Sequence, residues 1–255
     1  MSKTLSIITI NKNDVLGLAA TFSSVLSHKT TNELEYIVID GNSTDGSREL
    51  IKDNLSKIDQ VVIGDDEGIF DAMNKGLRLS TGKYVLFLNS GDTLYAGVEA
   101  ILGKTISMQN IDVFYSDIAI KNSKNKKILV NYTPFLLLFH CLNHQNMIIK
   151  YSHLNKGYDL SYKYIADVKW QIDYLSRLKL EKLEEPISYF DLNGLSSNKS
   201  RKIVERFWRE RVRAHFTSTG HKMWMKVVAT VFSSIIYIIK LIVPKLLSKV
   251  YQNDI

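Results

Sequence analysis

Acidic and amide side chains recur at one kind of position in this 255-residue chain, directly after short aliphatic runs. Asp40 follows YIVI, and Asn89-Ser90-Gly91-Asp92 follows YVLFL. In an open α/β sheet such strand ends are where ligands bind. A carboxylate there accepts hydrogen bonds from the N–H of a base or from ribose hydroxyls. At Asp92 the same oxygens also suit a hard divalent cation that bridges phosphates. Asp167 opens a helical stretch, where free N–H groups and the helix dipole favour the charged carboxylate that a proton-abstracting base requires. Each residue has a plainer alternative, since aspartates after strands are common turn residues and Asp167 reads equally well as an N-cap.

Other chemistries lack their signatures. His140 and His144 lie four apart, which would place them on one helix face. No HExxH glutamate accompanies them, and Cys141 is the single cysteine, so a metalloprotease site, a multi-cysteine zinc site and an intramolecular disulfide are excluded. There is no GxGxxG after the first strand, no P-loop and no GxSxG elbow, which removes the usual dinucleotide, P-loop NTPase and serine hydrolase readings.

These residues need elements to hold them, and the first 90 residues alternate aliphatic runs with helical patterns, as βαβ units do. Strands are predicted at 5–10, 36–40, 61–64 and 84–88, the last one central. Helices are predicted at 15–26, from a cap at Ser43 or Thr44 to about 58, and at 69–79, where Ile69, Met73, Gly76 and Leu77 share a face. Residues 112–120 and 127–131 then read as strands of a mixed sheet, 166–178 as a helix, and 185–190 as an edge strand because it carries Pro186.

The formal net charge of +7 is unevenly spread. Residues 199–255 hold twelve Lys and Arg against three acids, a net of +9, so residues 1–198 carry −2. The chain therefore divides into a nearly neutral α/β domain at 1–198 and a basic, helical tail at 199–255. Within the tail, 201–213 mixes basic residues with Val204, Phe207, Trp208 and Val212 on one face, as an interfacial helix does. The uncharged run 227–239 spans roughly 20 Å as a helix, short of the roughly 30 Å hydrocarbon core. An anionic membrane surface is the preferred partner of the tail, with packing on the preceding domain or in an oligomer weighed nearly equally. Nucleic acid is disfavoured, because the cations alternate with aliphatic runs instead of stacking aromatics.

Taken in order, the segments LSIITI (5–10), EYIVIDGNSTDGS (35–47), DEGIFDAMNKG (66–76) and GKYVLFLNSGD (82–92) resemble the inverting family 2 glycosyltransferases of bacterial surface-polysaccharide type over about residues 4–197. The resemblance implies a GT-A fold, that is, a Rossmann-like nucleotide-binding half with a mixed central sheet, and a nucleoside-diphosphate sugar as donor. It assigns the nucleotide site to Thr9, Asp40, Asp66, Asn74 and Asn89, the metal to Asp92, the acceptor pocket to His144 and Gln145, and the catalytic base to Asp167. Asn89 and Gly91 depart from the family's Asp-x-Asp pattern, which implies that Mg²⁺ or Mn²⁺ binds weakly or in a different arrangement, mostly through the diphosphate.

The expected function is transfer of a sugar, most readily from a UDP-sugar, to a hydroxyl of a saccharide or lipid-linked saccharide. The alternative is a non-catalytic nucleotide-sugar-binding or scaffold protein at the membrane, motivated by Asn89 and Gly91. The six-residue apolar run at 5–10 is too short for a secretory signal, so a cytoplasmic protein, peripheral on the inner face of the membrane, is expected.

Overall fold

The structure is a computed structural model that describes residues 3–29, 33–95, 103, 107, 108, 110–120, 127, 128, 141–191, 201–218 and 223–242. In chain order the elements are β1 (Leu5–Asn11), α1 (Val15–His28), β2 (Leu34–Asp40), α2 (Ser47–Asp53), β3 (Gln60–Ile63), α3 (Ile69–Leu79), β4 (Tyr84–Phe87), β5 (Thr93–Leu94), β6 (Val113–Tyr115), β7 (Ile118–Ile120) and β8 (Lys127–Ile128). They continue with β9 (Met147–Lys150), α4 (Ala166–Tyr174), β10 (Leu180–Lys182), β11 (Ser188–Phe190), α5 (Arg201–Thr217) and α6 (Met223–Ile242).

β1 and β2 are buried at every position, as continuous aliphatic runs in a parallel sheet covered on both faces require. They lie within a seven-stranded sheet of order β10-β6-β9-β4-β1-β2-β3, parallel except for β9, which runs antiparallel between β4 and β6. The period-2 alternation of side chains splits the core in two. Leu5, Ile7, Leu34, Tyr36 and Val38 join Leu18, Phe22 and Val25 of α1 on one face. Ile8, Ile10, Ile37 and Ile39 join Phe70, Met73 and Leu77 of α3, with Trp170 and Ile172 of α4, on the other. At the end of the sheet away from the strand carboxyl termini, Glu35 accepts from the Ser6 hydroxyl and from the Thr81 N–H and hydroxyl, so this buried acid is satisfied internally. A second sheet, β5-β11-β7-β8, packs beside the first.

Four expectations change. The 112–120 strand is two strands in different sheets, broken at Ser116, whose hydroxyl donates to Asn146 and accepts from the Ile187 N–H. β11 lies between β5 and β7 and is not an edge. Pro186 precedes it, so the missing N–H costs no ladder bond. The helix after Asp40 starts at Ser47 and not at a Ser43 or Thr44 cap, because the Ser43 hydroxyl is engaged with Asp40 and the Asn13 N–H. The helix at 166 ends at Tyr174 and continues only as a 3-10 turn.

α5 is built into the α/β body. Ala214 is buried in the α3-side core, the Phe207 ring lies tilted 5.3 Å from that of Tyr164, and the Arg213 guanidinium lies 3.9 Å from the Tyr162 ring centroid. The Glu210 carboxylate accepts from the backbone N–H groups of Lys163 and Tyr164, each at 2.9 Å, directly ahead of α4. α6 packs on α5 through Trp208 and Tyr237, stacked at 4.8 Å. Its other side leaves Met223, Trp224, Val227, Val231 and Ile235 exposed at 47–70%. Among the described residues no helix is long and apolar enough to cross a membrane.

Candidate active site

Register sets the first half of the site. Asn11 and Asp40 are the paired last residues of β1 and β2, so their side chains meet at the carboxyl end of the sheet, and Asn11 Nδ2 donates to Asp40 Oδ2 at 2.8 Å. Ser43 completes the turn, its N–H donating to Asp40 Oδ1 at 2.8 Å and its hydroxyl to Oδ2 at 2.7 Å. Asp40 is thus fully buried and triply bonded. Asn11 Oδ1, also buried, accepts nothing. Asp66 joins this cluster, accepting from the Gly68 N–H, with Oδ2 over Gly41, only 2.4 Å from where a β-carbon would stand.

Two residues assigned to this pocket lie elsewhere. Thr9 is two residues back from Asn11 on the same strand face, hence one layer deeper. It is 0% exposed, and its hydroxyl accepts from the Tyr36 phenol at 3.0 Å, so it supports the lip and does not line it. Asn74 turns both ends of its amide to one backbone, Nδ2 donating to the Tyr158 carbonyl at 2.9 Å and Oδ1 accepting the Tyr158 N–H at 2.7 Å. It clamps the 157–158 segment to α3.

The second half follows from the antiparallel β9. Leu86 pairs with Ile148, so the residues just past β4 lie beside those just before β9. Asn89 and Asp92 are thereby brought to His144 and Gln145. α4 approaches the same segment with two residues four apart, hence on one helix face. Gln171 grips Leu142 by two hydrogen bonds of 2.9 Å, and Asp167 Oδ2 accepts from His144 Nδ1 at 3.1 Å. Asn89 Nδ2 lies 3.0 Å from His144 Nε2. Asn89, Asp92, His144, Gln145 and Asp167 therefore form one contiguous cluster. His140 lies outside the described residues.

Asp191 belongs to this cluster and escaped the sequence reading. Antiparallel pairing of β5 with β11, Thr93 against Tyr189, carries Asp191 opposite Gly91. Its N–H donates to Asp92 Oδ1 at 2.9 Å, and its Oδ2 comes within 2.9 Å of where a side chain on Gly91 would begin. Gly91 has φ +93°, a left-handed conformation in which glycine alone is unstrained. Burial pushes the Asp92 carboxyl from 3.8 up to about 6, against hydrogen bonds from the Asp191 N–H and Gln145, while the Asp191 charge pushes it further. Burial likewise raises the Cys141 thiol, which makes it a poor nucleophile.

Among the described residues no group of three or more His, Cys, Asp and Glu is arranged to hold a metal. Asp92 and Asp191 supply the carboxylate chemistry that a hard cation taking its remaining oxygens from a diphosphate would need, and a cation there would relieve the pressure on Asp92.

Comparison with known proteins identifies the family and the fold. The model of the family described as Glycosyl transferase family 2 matches residues 6–152. A PGL/p-HBAD biosynthesis glycosyltransferase of Mycobacterium bovis (strain BCG / Pasteur 1173P2) is 27% identical over 220 residues, covering 81% of this chain and 83% of that one. Among solved structures, S. aureus TarS in complex with UDP-GlcNAc superposes with a TM-score of 0.65 at 16% identity, covering 89% of this chain and 70% of that one. The mannosyltransferase PcManGT from Pyrobaculum calidifontis in complex with GDP-Man and Mn²⁺ gives 0.64 at 11% identity, covering 92% and 74%. At these identities the two structures establish the shared fold.

Proposed function

Because this chain belongs to glycosyl transferase family 2 and is a glycosyltransferase of GT-A fold, we propose that it transfers a sugar with inversion from a UDP-sugar to a hydroxyl of a saccharide or lipid-linked saccharide in surface polysaccharide biosynthesis. The observation that carries this reading is the position of Asp167, a carboxylate in the first turn of α4 that is one imidazole ring away from Asn89 and joined through it to the strand-end cluster. The nucleotide belongs at the lip formed by Asn11, Asp40, Ser43 and Asp66. The diphosphate belongs near Asp92 and Asp191. The UDP-GlcNAc held by TarS and the biosynthetic name of the mycobacterial relative support the donor class and the setting.

In the transfer, Asp167 takes the proton of the acceptor hydroxyl while an oxygen lone pair forms the bond to the anomeric carbon from the face opposite the leaving group. The bond from that carbon to the diphosphate oxygen breaks, and its electron pair leaves with the nucleoside diphosphate. Mg²⁺ or Mn²⁺, held by Asp92 and Asp191, would neutralise the charge on the departing diphosphate.

The basic tail and the exposed apolar stripe of α6 support a cytoplasmic protein lying on the inner face of the membrane, with α6 in the interface and not across it. The enzymatic reading is tested by a thermal-shift screen of UDP-, GDP-, dTDP- and CMP-sugars with and without Mn²⁺, followed by transfer assays with the sugar that binds. Asp167→Asn lowers turnover at least about 100-fold with donor binding retained; unchanged turnover refutes the assignment.

A further inference from the structure

The departure at position 89 has a counterpart in space. A carboxylate only accepts hydrogen bonds, so a contact of 3.1 Å between ionised Asp167 Oδ2 and His144 Nδ1 requires the proton on Nδ1. In the neutral ring Nε2 is then a lone pair and needs a donor, and the group 3.0 Å from it is the Asn89 amide. An amide nitrogen satisfies Nε2; an aspartate at the same place does not, because two acceptors would face each other unless the ring took a second proton. With Asn89 Nδ2 facing the ring, the donors run from Asn89 Nδ2–H to His144 Nε2, and from His144 Nδ1–H to Asp167 Oδ2.

From this we infer that Asn89 is a positioning residue whose role is to lock His144 as the Nδ1–H tautomer, and that His144 in turn aims Asp167. Engaging Oδ2 leaves Oδ1 as the oxygen that receives the acceptor proton, and the ring remains a donor to the carboxyl group before and after the transfer. The segment bearing His144 is held for this purpose by Gln171, one turn along α4 from Asp167, through its two bonds to Leu142. Asparagine in the acidic motif is thus an exchange of an acceptor for a donor, matched to a histidine 55 residues away. The inference rests on Asp167 being the base.

The test is spectroscopic first. In full-length protein labelled with ¹⁵N-histidine, long-range ¹H–¹⁵N correlation at neutral pH shows the His144 ring, identified by the resonance lost in His144→Gln, as the Nδ1–H tautomer. In Asn89→Asp the same ring gives the doubly protonated pattern. An Nε2–H tautomer, or an averaged ring, in the unmodified protein overturns the inference whether or not the enzyme is active. With the nucleotide sugar selected by the donor screen, His144→Gln lowers kcat about 10- to 100-fold and leaves the donor KM within about twofold. A change in KM alone also overturns it. Unchanged turnover in Asp167→Asn would instead remove the base assignment and leave the tautomer result standing.

Discussion

Asp92 stores free energy that a neutral replacement releases. Its carboxyl is 3% exposed, and burial raises it from 3.8 to about 6. Since the folded value lies above the unfolded one, the native state holds an extra proton between about pH 4 and 6. The stability tied to this group is therefore complete below about pH 4 and lost as the pH rises through about 6. The shift of about two units corresponds to about 3 kcal/mol of native-state destabilisation at pH 7.5. Asp92→Asn removes the charge and keeps an oxygen for the Asp191 N–H, but its amide nitrogen cannot accept from Gln145, a loss of about 1 kcal/mol. The net expectation is a variant about 2 kcal/mol more stable than the parent at pH 7.5, or roughly 4–8 °C in Tm. The difference shrinks toward pH 4 and reverses there, and the variant transfers no sugar. Thermal and urea unfolding in a chelating buffer across pH 4–8 measures it. Mn²⁺ with UDP stabilises the parent alone and narrows the gap. A parent as stable as the variant at pH 7.5, or a gap that does not change with pH, refutes the reasoning.

Two residues on one face of β1 separate cleanly: Asn11→Ala weakens nucleotide binding about 10-fold in calorimetry, whereas Thr9→Val costs about 1 kcal/mol of stability through the lost Tyr36 bond and leaves binding unchanged. Glu210→Ala frees the two N–H groups ahead of α4 and lowers kcat about 10-fold with nucleotide binding intact; an equal loss in nucleotide affinity would show a general defect. For the tail, flotation with vesicles containing anionic lipid captures the protein at low salt and releases part of it at high salt. Trp224→Ser with Val231→Ser abolishes capture, and a dimer that these changes dissociate, with no vesicle binding, assigns the stripe to an oligomer instead.

Local patterns were legible where a residue's partners are near in sequence. The period of 69–79 places α3 on its observed bounds, and the mainly aliphatic runs at β1, β2 and β4 mark the central strands, because burial on both faces admits polar residues only where a partner satisfies them. The clustering of Asn89, Asp92, His144 and Asp167 followed from the family resemblance. Thr9 was misplaced for want of register: only the pairing of Asn11 with Asp40 reveals which residue of that face reaches the lip. Asn74 failed for a different reason, since its partner Tyr158 lies 84 residues away and an amide in a helix carries no mark of what it clamps. Separations of 99, 29 and 47 residues likewise hid Asp191, Gln171 and the grip of Glu210 on the segment ahead of α4.

The pairing of β5 with β11 bears on how such enzymes are recognised at all. Negative charge beside Gly91 is supplied by a residue 99 positions beyond Asp92, delivered by strand register. Charge density at a point in the fold and the spelling of a four-residue motif are separate quantities, and the first is what a divalent cation would encounter. A search that requires two acids within the motif would discard this chain, while one that asks which carboxylates the sheet brings within reach of the turn would keep it.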